Sequence, residues 1–482
     1  MTHITNKGYR IAFVNTIVVC LCIITSVIIW FDHSHDGYKL LFLHPLTFSI
    51  AYLFVLSKKI HQGNKKLFFM VFMGIASIRY VVLPLLIVLS GHYGGRSFIE
   101  PDQASFLKAI LLMNYELIVC SVFIGFKEWR KGKKGAIKKP IIETSFEALK
   151  GYDIGYICFG VLTVVGVVTH PTVLLSINFI IPNVFAKSIE YSFTQNLVIY
   201  FVVVFKQLLF IMVTKKLFYL FKQSKKHQYI TYNFLVALLN ILTYFGTNRS
   251  DIVISAIVSF FLLYKLYGQI MKKYFALGSI ALVLLIMLVT SARDNASISG
   301  HTNGLLDITD TFQVYTGGPY NVAIAVETKS YFPEANDVSV LFFDIFRPMI
   351  GVNFLVKELP FQYSNIFYNK RLWLDIDRRS QILPMIGQGN LFFGFILAPL
   401  FSLFFIRLHY YFEKKVAITK SVEIFYFVNL AIVRLGFFMG QNTMNMINDM
   451  SMNLVLFLGV YSLNKLTKRQ VIHKKHVELN KI

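Results

Sequence analysis

IAFVNTIVVCLCIITSVIIWF, residues 11–31, runs for 21 residues without one charged side chain. As a helix rising ~1.5 Å per residue, it spans roughly 30 Å, the thickness of a bilayer's hydrocarbon core. Lipid offers no hydrogen bonds, so a backbone crossing it must satisfy its own, and a single apolar run does so as a helix. MTHITNKGYR (1–10) precedes it with Lys7 and Arg10, and no small-residue cleavage site follows. The stretch therefore reads as a retained first helix and not as a removed leader.

Working outward from it, apolar blocks of similar length recur at 38–57, 67–90, 107–126, 152–169, 195–213, 229–246, 252–267, 274–291, 391–408, 421–440 and 450–465. They predict an all-α polytopic membrane protein of about 12 transmembrane helices, within a range of 11–14. The eighth block is short and is expected to be tilted, kinked or paired as a hairpin with the seventh. The tenth is open to an earlier start near Leu383. The composition agrees: 55% of the 482 residues are apolar and 15% are charged, too few to cover a soluble surface of this size.

The net charge of +23 would suit a nucleic-acid binder, but its placement assigns it to topology. With the amino terminus inside, the inner connections hold Lys7 and Arg10, Lys58 to Lys66, the run from Lys127 to Lys150, Lys215 to Lys226, Lys265 to Lys273, Arg407 to Lys420, and the tail from Lys465. These hold 32 of the 48 basic residues, whereas the short outer loops hold Lys39, Arg96, Lys108, Lys187 and Arg249. Both termini are thus expected in the cytoplasm, the basic segments lie against anionic lipid head groups, and no nucleic-acid partner is implied. The chain divides into a bundle over 1–291, an outer loop over 292–390, and a closing membrane segment with a basic tail over 391–482. A loop of that length carries structure or function of its own. Within it, VSVLFFDIFRPMIGVNFLVKEL (338–359) sets Asp344 and Arg347 one helical turn apart, the pattern of an interfacial or re-entrant helix. The apolar 170–194 loop is expected on the membrane surface.

The four cysteines, Cys20, Cys22, Cys120 and Cys158, sit inside apolar blocks with no disulfide or metal spacing. No P-loop, HExxH, CxxC or GxSxG is present, GQGNLFFG (387–394) fits no dinucleotide fingerprint, and neither a metal nor a cofactor is implied. Asp375 and Asp377 form a DxD pair of a kind that arises often by chance, and DHSHD (32–36) reads as a polar turn more readily than as a metal or acid–base site.

Charges inside spans are costly unless paired or facing water, so Arg79, Glu116, Lys206 and Arg434 carry information. Glu116 is expected either to pair with Arg79 or Lys206 as helix glue or to serve a wet site. Arg434, Arg249 and Arg293 lie towards the outer helix ends, with Arg347 in the loop. Guanidinium groups offer paired N–H donors, so their convergence at the outer leaflet would suit a lipid-linked pyrophosphate, although single interface arginines have the same spacing.

Three stretches together, TYFGTNRSD (243–251), YTGGPYNVAIAVE (315–327) and LPMIGQGNLFFGFILAPLFS (383–402), with the outer loop between spans nine and ten, resemble the Wzy family of oligosaccharide repeat-unit polymerases, the O-antigen and capsule polymerases. The likeness covers roughly 230–440. It implies a glycosyltransferase of the bacterial cytoplasmic membrane that moves a growing glycan from one polyprenyl pyrophosphate to a sugar hydroxyl of the next lipid-linked unit. Neither a metal nor a nucleotide sugar would take part, and a chain-length regulator and a flippase would be partners. It places Arg249 and Arg293 at positions of essential outer-face arginines. On chemistry alone, Arg249, Arg293, Arg347 and Arg434 would steady the leaving pyrophosphate. Asp344, Glu327, Asp251 and His301 are candidates to accept the proton. Arg79 is a further substrate-binding candidate, and Tyr315, Tyr320, Tyr331, Phe332, Tyr363 and Trp373 are candidate sugar platforms. A flippase of lipid-linked oligosaccharide and a glycan ligase are the alternatives. The single large loop favours an enzyme, since such transporters tend towards two related halves with short loops.

Overall fold

A computed structural model describes residues 2–32, 34–57, 67–133, 153–180, 191–245, 249–294, 304–375 and 381–479. Every apolar block falls largely on helix: α1 (Thr2–Trp30), α2 (Leu43–Ala51, continued to Leu56), α3 (Leu67–Ser90), α4 (Gln103–Lys133), α5 (Ile154–Thr169), α6 (Phe193–Ser224), α7 (Gln228–Leu242), α8 (Arg249–Tyr267) and α9 (Lys272–Asp294). Between residues 304 and 373 come the shorter α10 (Gly304–Thr316), α11 (Pro319–Tyr331), α12 (Val338–Phe346) and α13 (Ser364–Trp373). The chain closes with α14 (Met385–Leu397), α15 (Leu400–Ile418), α16 (Val422–Gly436) and α17, which starts at Thr443 and runs to Leu479.

Seven helices among the described residues are long and apolar enough to cross a membrane, or up to eight if the bent pair α14–α15 is one span. Many large apolar side chains on α1 and α5 point outward, including Phe13, Leu21, Val161 and Val168, a surface that suits lipid and not water. The chain is a multi-pass, all-α membrane protein. Among the described residues the one sheet is a small antiparallel pair, β1 (Ile177–Phe179) with β2 (Thr243–Phe245), in register Ile177↔Phe245. It ends the seventh block early, at Leu242, and takes up part of the 170–194 loop.

Two departures from straight spans have local causes. Taken by length alone, Ser250–Leu282 is one helix of 33 residues, which would stretch ~50 Å. Yet Ile252 and Ala256 pack in one cluster with Leu285, and the Phe260 and Phe275 rings lie 5.7 Å apart. The chain therefore doubles back at Gly268, whose φ of +65° suits only glycine at low cost, and α8 and α9 form a hairpin. α8 also packs on α7, through Phe234 on Phe260 and Asn240 to Ser259. The tenth block is bent by 103° between α14 and α15. Gly394, at φ +72° and ψ −178°, leaves helical geometry inside α14, and Pro399 supplies no N–H to carry α14 on into α15.

Contacts group the chain into two compact units that do not follow chain order. The first holds residues 1–140, 301–413 and 434–448, so the 304–375 helices join the amino-terminal ones. The second holds 141–300, 414–433 and 449–482. In the second unit, Lys215 is buried between Glu423 (2.6 Å) and Asp153 (3.1 Å), although its spacing assigned it to an inner connection. Lys206 donates to the carbonyls of Asn240 (2.8 Å) and Thr243 (2.7 Å), capping the end of α7.

Candidate functional site

Pro84 removes the N–H that would bond the carbonyl of Tyr80, and the preceding turn widens so that the Leu83 N–H reaches Ile78. Arg79 sits in that turn. Its side chain is 0% exposed, with Nη1 donating to Glu116 Oε2 at 2.8 Å and Nε to the Gly317 carbonyl at 3.1 Å. Ser402 donates to the other Glu116 oxygen at 2.6 Å. Four elements, α3, α4, α15 and the turn before α11, are thus held by one buried pair. Of the two readings of Glu116, the structure shows helix glue, made with Arg79.

Gly317, at φ +63°, lets the backbone reach Arg79: a Cβ there would stand 3.0 Å from Pro384 and 3.2 Å from the Met439 carbonyl. Gly387 packs directly on Ala325, and Gly440 on the Tyr315 carbonyl. The 315–327 and 383–390 stretches, over fifty residues apart in sequence, therefore meet at small residues within the first unit.

Beside this contact lies a buried amide network. Asp344 on α12 is 1% exposed and accepts from the Ser364 N–H (3.0 Å), the Ser364 hydroxyl and Gln388 Nε2 (2.7 Å). Gln388 in turn donates to Thr443 (2.8 Å) and accepts from its N–H (2.9 Å). Asn365 accepts from Leu383 and Asn442, and Asn369 from Gln381, so α13 and the start of α14 are tied to the start of α17. Burial pushes the Asp344 carboxyl from 3.8 up to about 6, against the opposing pull of its Ser364 and Gln388 hydrogen bonds.

A group whose folded pKa is raised stabilises most below its unfolded pKa, and that contribution is lost as pH rises through the folded one. The stability of the wild type relative to Asp344→Asn is expected to fall between pH 4 and pH 7 by about 3 kcal/mol. Apparent melting temperatures of the two proteins, measured in detergent across that range, check this. A difference that ignores pH would show Asp344 ionised without cost.

The other predicted residues are distributed as follows. Glu327 is 6% exposed and paired with Arg371, which is 1% exposed and also donates to the Ile99 carbonyl. Tyr320 is buried against Ser97. Tyr315 is half-buried, and Arg434 is buried at the end of α16. Arg347 ends α12 half-buried, and no hydrogen bond or ion pair of its side chain occurs among the described residues, its neighbour Asp344 included. Arg249 opens α8 and Arg293 lies at the end of α9, but their side chains, like the whole of His301, fall outside the described residues. Of the arginines expected to converge, only Arg347 and Arg434 have side chains among the described residues.

Asp375 is exposed, and Asp377 is outside the described residues. In the 32–36 turn, Asp32 accepts from Tyr93 and Ser34, and His35 meets Glu100 at 3.2 Å. No group of three or more His, Cys, Asp or Glu side chains that could hold a metal occurs among the described residues.

Sequence reasoning missed Arg371, Ser364, Gln388 and Thr443. The available signal was polar amides directly beside apolar blocks, at GQGN (387–390) and QNT (441–443), which cost free energy when buried unless fully bonded. The chain matches no protein-family model, no curated protein and no solved structure.

Proposed function

We propose that the chain is a polymerase of lipid-linked oligosaccharide repeat units, working at the outer face of a bacterial cytoplasmic membrane. In this reading about a dozen helices cross the bilayer, both termini are cytoplasmic, and the 304–375 helices stand outside. A hydroxyl of the incoming unit attacks the anomeric carbon of the growing glycan. The new glycosidic bond forms as the bond to polyprenyl pyrophosphate breaks, and the hydroxyl proton passes to a base.

The observation that carries the reading is the meeting of the 315–327 and 383–390 stretches on a helix pair bent by 103°, two of the three stretches on which the resemblance rests. A broken helix at membrane depth is tolerated only where it is buried in protein or lines a wet cavity, the setting such a site needs. Arg249 and Arg293 are assigned to the leaving pyrophosphate, where preorganised cations act on developing charge. Asp344 and Glu327 are fully engaged in buried networks, so they position helices, and the proton acceptor is Asp251 or His301.

The test is a reconstituted protein supplied with the host's lipid-linked repeat unit and its products resolved on a gel. A ladder is expected from the wild type and a fall of about 100-fold or more from Arg249→Ala or Arg293→Ala. A ladder that survives both changes would remove the arginine assignment. No ladder, with movement of the lipid between leaflets, would make the chain a flippase.

A further inference from the structure

A cleft of about 460 Å³ opens between the start of α4, residues 100–108, and the end of α11, residues 326–331. Its size lies within the ~300–1,000 Å³ usual for small-ligand sites. One part of its lining is Glu327, locked by Arg371 and by the Asp102 N–H at 2.7 Å. Arg371 also sits 4.6 Å from the centroid of the Tyr331 ring. A guanidinium over an aromatic face attracts the ring electrostatically, so this tyrosine is held in place although it is 55% exposed. An exposed aromatic at a helix end ordinarily has nothing to fix it.

The rest of the lining is polar in a particular way. Asp102 caps α4 through the Ser105 N–H at 2.6 Å, and Glu100 is engaged by His35. Lys108 is exposed, and no side-chain partner for it occurs among the described residues. The groups open to a ligand are therefore a fixed ring and the exposed ammonium groups of Lys108 and Lys329, beside carboxylates already oriented by their own partners. A pyranose offers the complement: a patch of C–H bonds for the ring and a rim of hydroxyls for charged and polar side chains. We infer that this cleft is a saccharide subsite, in which the Tyr331 ring carries one sugar of the glycan and Lys108 hydrogen-bonds its hydroxyls. The inference rests on the polymerase reading for the source of that sugar.

The experiment uses the full-length protein in detergent and the host repeat-unit oligosaccharide freed from its lipid, titrated by calorimetry, alongside the ladder assay. Wild type and Tyr331→Phe are expected to bind alike, whereas Tyr331→Ala weakens binding about tenfold and raises KM with little change in kcat. Lys108→Ala is expected to weaken binding in the same direction. Binding lost in Tyr331→Ala while the wild type makes no ladder would keep the subsite and sink the polymerase. A wild-type ladder with unchanged binding and KM in both alanine variants would do the reverse. No binding of this oligosaccharide by the folded wild type overturns the inference.

Discussion

Arg79→Leu is expected to destabilise the protein by about 3–5 kcal/mol, because it strands the Glu116 carboxylate at a fully buried position. The cost comes from the charge left behind more than from the contact removed. The double variant Arg79→Leu, Glu116→Gln should therefore recover much of the loss, since a neutral amide can still accept from Ser402. Arg79→Lys should fall between, as one ammonium lacks the fork that serves Glu116 and the Gly317 carbonyl together. Apparent melting temperature in detergent, followed by size exclusion, measures the order. A single variant as stable as the double would mean that Glu116 is neutral or hydrated, and the pair would lose its role.

Gly389→Ala is expected to cost about 3 kcal/mol or more, by another mechanism. An added Cβ at Gly389 would run into the backbone carbonyl of Ala398, which the kink at Gly394 brings back onto α14. A side chain could rotate away from such a clash, but a backbone carbonyl at a tight bend cannot. Gly74 on α3 provides the control: nothing lies within 4 Å of its added Cβ, so Gly74→Ala should be neutral or stabilise by ~0.5–1 kcal/mol. Both variants are compared with the wild type by thermal unfolding. If Gly389→Ala proves as harmless as Gly74→Ala, the close approach within the bent pair does not exist.

The helices were legible because lipid imposes one requirement over some twenty residues at a time, and apolar composition over such a window satisfies it. What ends or bends a helix depends on single residues, and those were harder to read. Gly268, which reverses α8 into α9, lies in the connection that Lys265 to Lys273 already marked, whereas Gly394 and Pro399 break the tenth block inside a run whose average hydropathy barely registers them. The candidate site was legible in part. Arg79 and Glu116 stood out as charges in apolar surroundings, and their pairing was one of two stated outcomes. Arg371 and Glu327 did not stand out, because they lie in a segment of ordinary polarity where burial depends on distant neighbours. The same holds for the Ser364, Gln388 and Thr443 network around Asp344, in which one hydrogen bond alone reaches across 55 positions in sequence.

The Arg79–Glu116 pair also bears on how the protein is made. Its two charges lie 37 residues apart, but the Gly317 carbonyl comes 238 residues after Arg79, and the Ser402 hydroxyl 286 after Glu116. At roughly 5–20 residues per second, the ribosome needs about 15–60 s to travel from the carboxylate to the hydroxyl that completes its shell. For that interval the half-made chain holds an ion pair with open valences inside the membrane. The insertion machinery, or water admitted beside the nascent helices, has to shelter it until the later residues arrive.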